Sequence, residues 1–136
     1  MAGSRRKARA LALQTLYEYD AVGHDAAAVA GRLLVEGKLS GEHAAFASDL
    51  VNGVLQNKEK LDAMITKFAP AWPLRQIPLV DRNILRLAIF EILFDNKVPI
   101  KVAINEAVEL AKNFGGDNSP RFVNGVLASV SALAHR

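Results

Sequence analysis

The chain has 136 residues, about half of them hydrophobic, which is enough for one well-buried domain and short for two. It contains no cysteine, which excludes a disulfide framework and any thiolate metal site and fits a reducing cytoplasm. Seventeen Lys and Arg against fourteen Asp and Glu give +3, and no apolar run approaches the ~20 residues of a bilayer span.

The first helix is expected from Ser4, as N-cap, to about Asp20, with Ala8, Leu11, Ala12, Leu16 and Tyr19 as its apolar stripe. It carries nearly all of the charge imbalance. Arg5, Arg6, Lys7 and Arg9 fall within five residues, no acid precedes Glu18, and the rest of the chain is close to neutral. Localised positive charge of this kind is the footprint of a polyanionic partner.

A second helix is expected over Asp25 to Glu36, ended by Gly37, and a third after Ser40 with Ala44, Phe46, Ala47, Leu50, Val51, Val54 and Leu55. A fourth spans about Lys58 to Phe68. Pro70-Ala71-Trp72-Pro73 then forms a turn with an aromatic anchor, because two prolines forbid continuous helix. From Pro78 to about Asp95 the sequence is apolar nearly all round, as expected of a helix packed on every side. Pro99 starts another helix, closed by Gly115-Gly116, and Ser119-Pro120 reads as N-cap and N1 of a last one. The pattern predicts an all-α fold, one compact domain of six to seven helices.

Val51-Asn52-Gly53-Val54-Leu55 recurs as Val123-Asn124-Gly125-Val126-Leu127. A mid-helix glycine costs about 1 kcal/mol against alanine. Both glycines are therefore expected at close, buried helix crossings, with duplication of a three-helix unit as the alternative.

On the first helix, Arg6, Ala10, Leu13 and Tyr17 line one stripe and Lys7 and Gln14 the next. Cations for phosphate, an amide for a base edge and a phenol for stacking suit single-stranded RNA. A merely solvated basic face, or a targeting or membrane-surface segment, is the competing reading. The apolar stripe running on into Glu18 and Asp20 counts against targeting.

Catalytic patterns are missing. His24, His43 and His135 have no partners at metal-ligand spacing, and no zincin, nucleophile-elbow or phosphate-loop motif occurs. Glu106 and Glu109 share a helix face but lack the Glu-x-x-His companion of a di-iron bundle, and Glu109 is placed to pair with Lys112. No catalytic residue, metal or cofactor is expected.

Several blocks, in order and covering nearly the whole chain, carry a family likeness. They are Arg5-Arg6-Lys7-Ala8-Arg9 with Ala12, Gln14, Leu16 and Tyr17; Leu50-Val51-Asn52-Gly53-Val54 with Asn57 and Leu61-Asp62; and Asp81-Arg82-Asn83-Ile84-Leu85-Arg86-Leu87-Ala88 with Phe90-Glu91. The strongest runs from Pro99 to Lys112, followed by Phe114-Gly115 and Phe122-Val123-Asn124-Gly125-Val126-Leu127. The sequence resembles the NusB transcription-antitermination family.

That resemblance implies an all-α fold of two packed three-helix subdomains, about 1–70 and 71–136, around the central apolar helix, and a non-catalytic cytoplasmic adaptor. It would bind boxA-type RNA in nascent ribosomal RNA together with NusE, a small-subunit ribosomal protein, within the RNA polymerase antitermination complex. Carried over by position, Arg5, Arg6, Lys7, Arg9, Gln14, Tyr17, Arg121, Phe122 and Asn124 would face RNA, and Asp81 and Glu91 would face NusE. Phe122, one turn before Val126, also reads as core. Asn118 stands where some members carry an acid, a change favouring RNA, and the His135-Arg136 tail is short. The alternatives are an RNA-targeting domain of the kind fused to ribosomal RNA methyltransferases, and a protein-only adaptor or homodimer.

Overall fold

The computed structural model describes residues 2–134, so His135 and the chain end lie outside it. Its helices are α1 (Ala2–Val22), α2 (Ala26–Glu36), α3 (Gly41–Gln56), α4 (Lys58–Phe68), α5 (Leu79–Ile89), α6 (Ile100–Phe114) and α7 (Ser119–Ser131). A 3-10 turn, Leu74–Gln76, precedes α5, and a π-helical turn, Phe90–Asp95, continues it. No strand occurs among the described residues, so the all-α expectation holds.

Local chemistry explains most boundaries. The Asp25 carboxylate accepts the Ala28 N–H at 3.0 Å and caps α2, and Gly37 closes that helix by donating to the Leu33 carbonyl. Asn96, in the left-handed region, ends the π turn. Two starts differ from expectation. Ser4 lies inside α1 instead of capping it. Asn118 takes the cap position of α7, because the Ser119 hydroxyl turns back to accept the Gly116 N–H at 2.9 Å.

Helix α5 is central and packs against α1, α3, α4, α6 and α7. Ile84, Leu85, Leu87, Ala88, Ile89 and Ile92 are all buried and belong to one apolar cluster that includes side chains from α1, α3, α4, α6 and α7. A smaller cluster, Ala8, Leu11 and Ala47, is covered by Leu33, Leu34 and Leu39. Tyr19, expected in the α1 stripe, is exposed, and Leu13, read as part of the RNA-facing stripe, is buried.

The central helix is not purely apolar. Asp81, Asn83, Arg86 and Glu91 are buried with it. Arg86 donates to Asp62 at 2.6 and 3.0 Å, to Asp20 at 2.7 Å and to Asn83 at 3.0 Å, joining the end of α1, α4 and α5 through one guanidinium. Buried charge is tolerable only when paired in this way.

The two repeated Asn-Gly segments part company. Gly53 is buried against Phe90, whose ring occupies the space a Cβ would need. Gly125 is exposed and a Cβ there would meet nothing. The expected burial of Gly125 is therefore corrected. Val123, Val126, Leu127 and Val130 define the inner face of α7, and position 125 falls outside it.

Candidate nucleic-acid interface

The first turns of α1 present Arg5, Arg6 and Lys7 to solvent. Their surroundings differ. Arg5 lies over the Phe46 ring of α3, 4.6 Å from its centroid. The Lys7 stem runs beside Gly37 at the end of α2. Arg6 points towards α6 and donates twice to Glu106, at 2.8 and 3.0 Å, with its side chain still 51% exposed. That guanidinium, chiefly through the hydrogen bond, holds the Glu106 carboxyl below the usual carboxylate range. Glu106 is thus an acceptor for the basic helix, and Glu109 pairs with Lys112 at 3.1 Å as its spacing suggested.

Arg9 is not available to a phosphate. It is 4% exposed and donates to both oxygens of Glu91 at 2.8 and 2.9 Å. Its guanidinium lies 5.1 Å from the Phe46 centroid and 3.9 Å from a Glu106 oxygen. Arg9 shares a helical stripe with Leu13 and Leu16, so it enters the core beside them. The same geometry corrects Glu91, which is 2% exposed and turned towards Arg9, away from any partner surface.

Further along α1, Gln14 and Tyr17 are exposed, Tyr17 by 42%. They border a groove with Leu13, Val22, Val80 and Phe114. Val80 and Phe114 also wall a second cleft, of about 560 Å³, which holds Trp72, Asp81, Ser119 and Phe122. Gln14 and Tyr17 thus lie on one depression and Phe122 on a neighbouring one, the two sharing Val80 and Phe114 as wall residues. Phe122 is half-buried, neither wholly core nor free. Arg121 and Asn124 stand exposed on α7. Arg5 and Lys7 border neither the groove nor the cleft.

Asp81 is 4% exposed, so only a group entering the cleft can reach it. Burial raises its carboxyl above the usual range, opposed by a hydrogen bond from Ser119. Trp72, Glu106 and Phe46 were not foreseen as part of this surface. Trp72 had a signal, an aromatic between two prolines, but the other two are placed by tertiary packing alone.

The NusB family model matches residues 6–132. The chain belongs to the NusB family. Among curated relatives, the transcription antitermination protein NusB of Dehalococcoides mccartyi is 58% identical over 98% of this chain and 94% of its own. That of Herpetosiphon aurantiacus is 50% identical over 93% and 88%. Among solved structures, T. maritima NusB superposes with a TM-score of 0.87 at 32% identity, over 94% of this chain and 90% of that one. A crystal structure of antitermination factors NusB and NusE in complex with double-stranded RNA gives 0.88 at 25% identity, over 98% and 99%. Among the described residues, no helix of this family member is long and apolar enough to cross a membrane.

Proposed function

We propose that this chain is a non-catalytic, cytoplasmic antitermination adaptor that binds boxA-type single-stranded RNA of nascent ribosomal transcripts jointly with NusE. The observation that carries this reading is the exposed cluster Arg5, Arg6 and Lys7, set on the same helix as exposed Gln14 and Tyr17. Cations supply attraction that is blind to sequence, while amide and aromatic groups supply selection. Arg121, Phe122 and Asn124 extend the RNA face, and Arg9 leaves it. Asp81 remains the candidate on the NusE side. The solved relative that holds NusE and RNA supports both partners.

NusE adds a second contact surface, which converts part of RNA binding into an intramolecular step and tightens it. The bound complex would then act on RNA polymerase. Fluorescence titration of a boxA-like single strand, with and without NusE, tests this. The expected result is at least tenfold tighter binding with NusE, and weaker competition by the same sequence as a duplex. Equal affinity with and without NusE would overturn the joint-binding reading. Light scattering of the same samples separates a heterodimer with NusE from a homodimer.

A further inference from the structure

The arginines at the head of α1 are not equivalent. Arg6 gives its Nε and Nη2 donors to Glu106, and Arg9 is buried against Glu91. Among the described residues, Arg5 donates to no carboxylate. Its guanidinium lies instead over the Phe46 ring of α3, 4.6 Å from the centroid. Phe46 is half-buried and packs against both apolar clusters, so the core fixes the ring. The Arg9 guanidinium, held by Glu91, stands 5.1 Å from the same centroid. An exposed cation thus rests on a surface that the interior keeps in place.

We infer that Phe46 is a positioning residue for RNA, holding the Arg5 guanidinium ready to grip a backbone phosphate. The inference rests on the RNA-binding reading above and deepens it. A long, flexible cation loses rotamer freedom when it grips an oxyanion, and one already resting on a ring has lost part of it beforehand. The ring attracts the cation through its face but offers no lone pair, so the N–H fork stays open for two phosphate oxygens. Arg6 must release Glu106 before it can offer the same donors. Arg6 and Lys7 follow directly and are also exposed, a run of cations that suits a phosphate chain better than a lone carboxylate.

The test measures binding of a boxA-like single strand, and of a scrambled strand of equal length, to the full chain by fluorescence anisotropy. Phe46→Leu keeps an apolar side chain but removes the ring, and should weaken binding by about two- to fivefold, the scale of an exposed cation–π contact. A phosphate carries no sequence, so the loss should be the same for both strands. Phe46→Tyr keeps the ring and should bind as the parent does. In an Arg5→Gln background Phe46→Leu should have no further effect, since the ring acts through that arginine. Arg5→Lys, at an exposed position, keeps the charge but loses the planar fork, and should weaken both strands by roughly threefold. Circular dichroism establishes that each variant is folded.

If folded Phe46→Leu binds as the parent does, or loses equally with and without Arg5, the positioning role is overturned while the RNA reading stands. Parental affinity in Arg5→Lys overturns it independently of any change in the core. A loss confined to the boxA-like strand would put a base, not a phosphate, at Arg5 and also overturn it. If Phe46→Leu spares both strands and instead weakens association with NusE, the stacked arginine serves a protein surface, and the inference fails. If the parent binds neither strand, the RNA reading falls and the inference falls with it.

Discussion

Glu91→Ala should lower the stability of the domain by about 3–5 kcal/mol, the cost of leaving a buried charge without its partner. Arg9 and Glu91 side chains are 5% and 3% exposed and meet through two charge-assisted hydrogen bonds, and on loss of Glu91 the Arg9 guanidinium keeps only Glu106, 3.9 Å away, as a carboxylate neighbour. Arg9→Ala removes the same two hydrogen bonds and should also destabilise. The double replacement Arg9→Met with Glu91→Leu removes both charges, and it should return to within about 1 kcal/mol of the parent or exceed it. Urea unfolding of the four proteins measures these differences. Single variants that unfold at the parental midpoint would mean that the pair is dispensable and that Arg9 is free to turn outwards.

The second large effect separates the two repeated glycines. At Gly53 any side chain must displace the Phe90 ring, so Gly53→Leu is expected to destabilise by about 3 kcal/mol or more, at the upper end of overpacking costs. Gly53→Ala should still be destabilising, because the clash outweighs the gain in helix propensity. Combining it with Phe90→Leu should recover part of the loss. At Gly125 the space is open, so Gly125→Ala should stabilise by about 0.4–1 kcal/mol through the unfolded chain. Thermal melting of both series checks the contrast. Equal shifts at the two positions would contradict the packing described.

These two results bear on how much of the molecule could be read from letters alone. The seven helices were legible because apolar spacing, Asp25, Gly37 and the prolines mark them locally. α1 was harder, since it is buried on more than one side. Leu13 belongs to the core while Tyr19 of the supposed core stripe is exposed. Arg9 was read with its basic neighbours, although its spacing from Leu13 and Leu16 already placed it inward. Glu91 and Asp81 were visible as lone acids in an apolar run, and such acids need buried partners. The partner of Glu91, Arg9, sits on another helix, so no local pattern could name it. The identical pentapeptides misled for a related reason. Whether a helical glycine faces a neighbour depends on which neighbour the fold supplies.

The interface follows the same division. Its charged end was readable as Arg5, Arg6 and Lys7, while the cleft of Trp72, Asp81, Phe114 and Phe122 gathers residues from the turn before α5, from α5 itself, and from α6 and α7. The sequence places Glu106 only on a helix face with Glu109, yet it occupies the guanidinium of Arg6. An RNA phosphate at that arginine would have to compete with an internal carboxylate.

The central claim is that the leading edge of α1 holds a transcript by charge. The most direct measurement is the salt dependence of binding to a boxA-like single strand, for the parent and for the triple variant Arg5→Gln, Arg6→Gln, Lys7→Gln. Each lost phosphate contact should flatten the logarithmic slope by about 0.7, so a decrease of roughly 2 is predicted, with weaker binding at low salt. A folded triple variant with the parental slope and affinity would contradict the account.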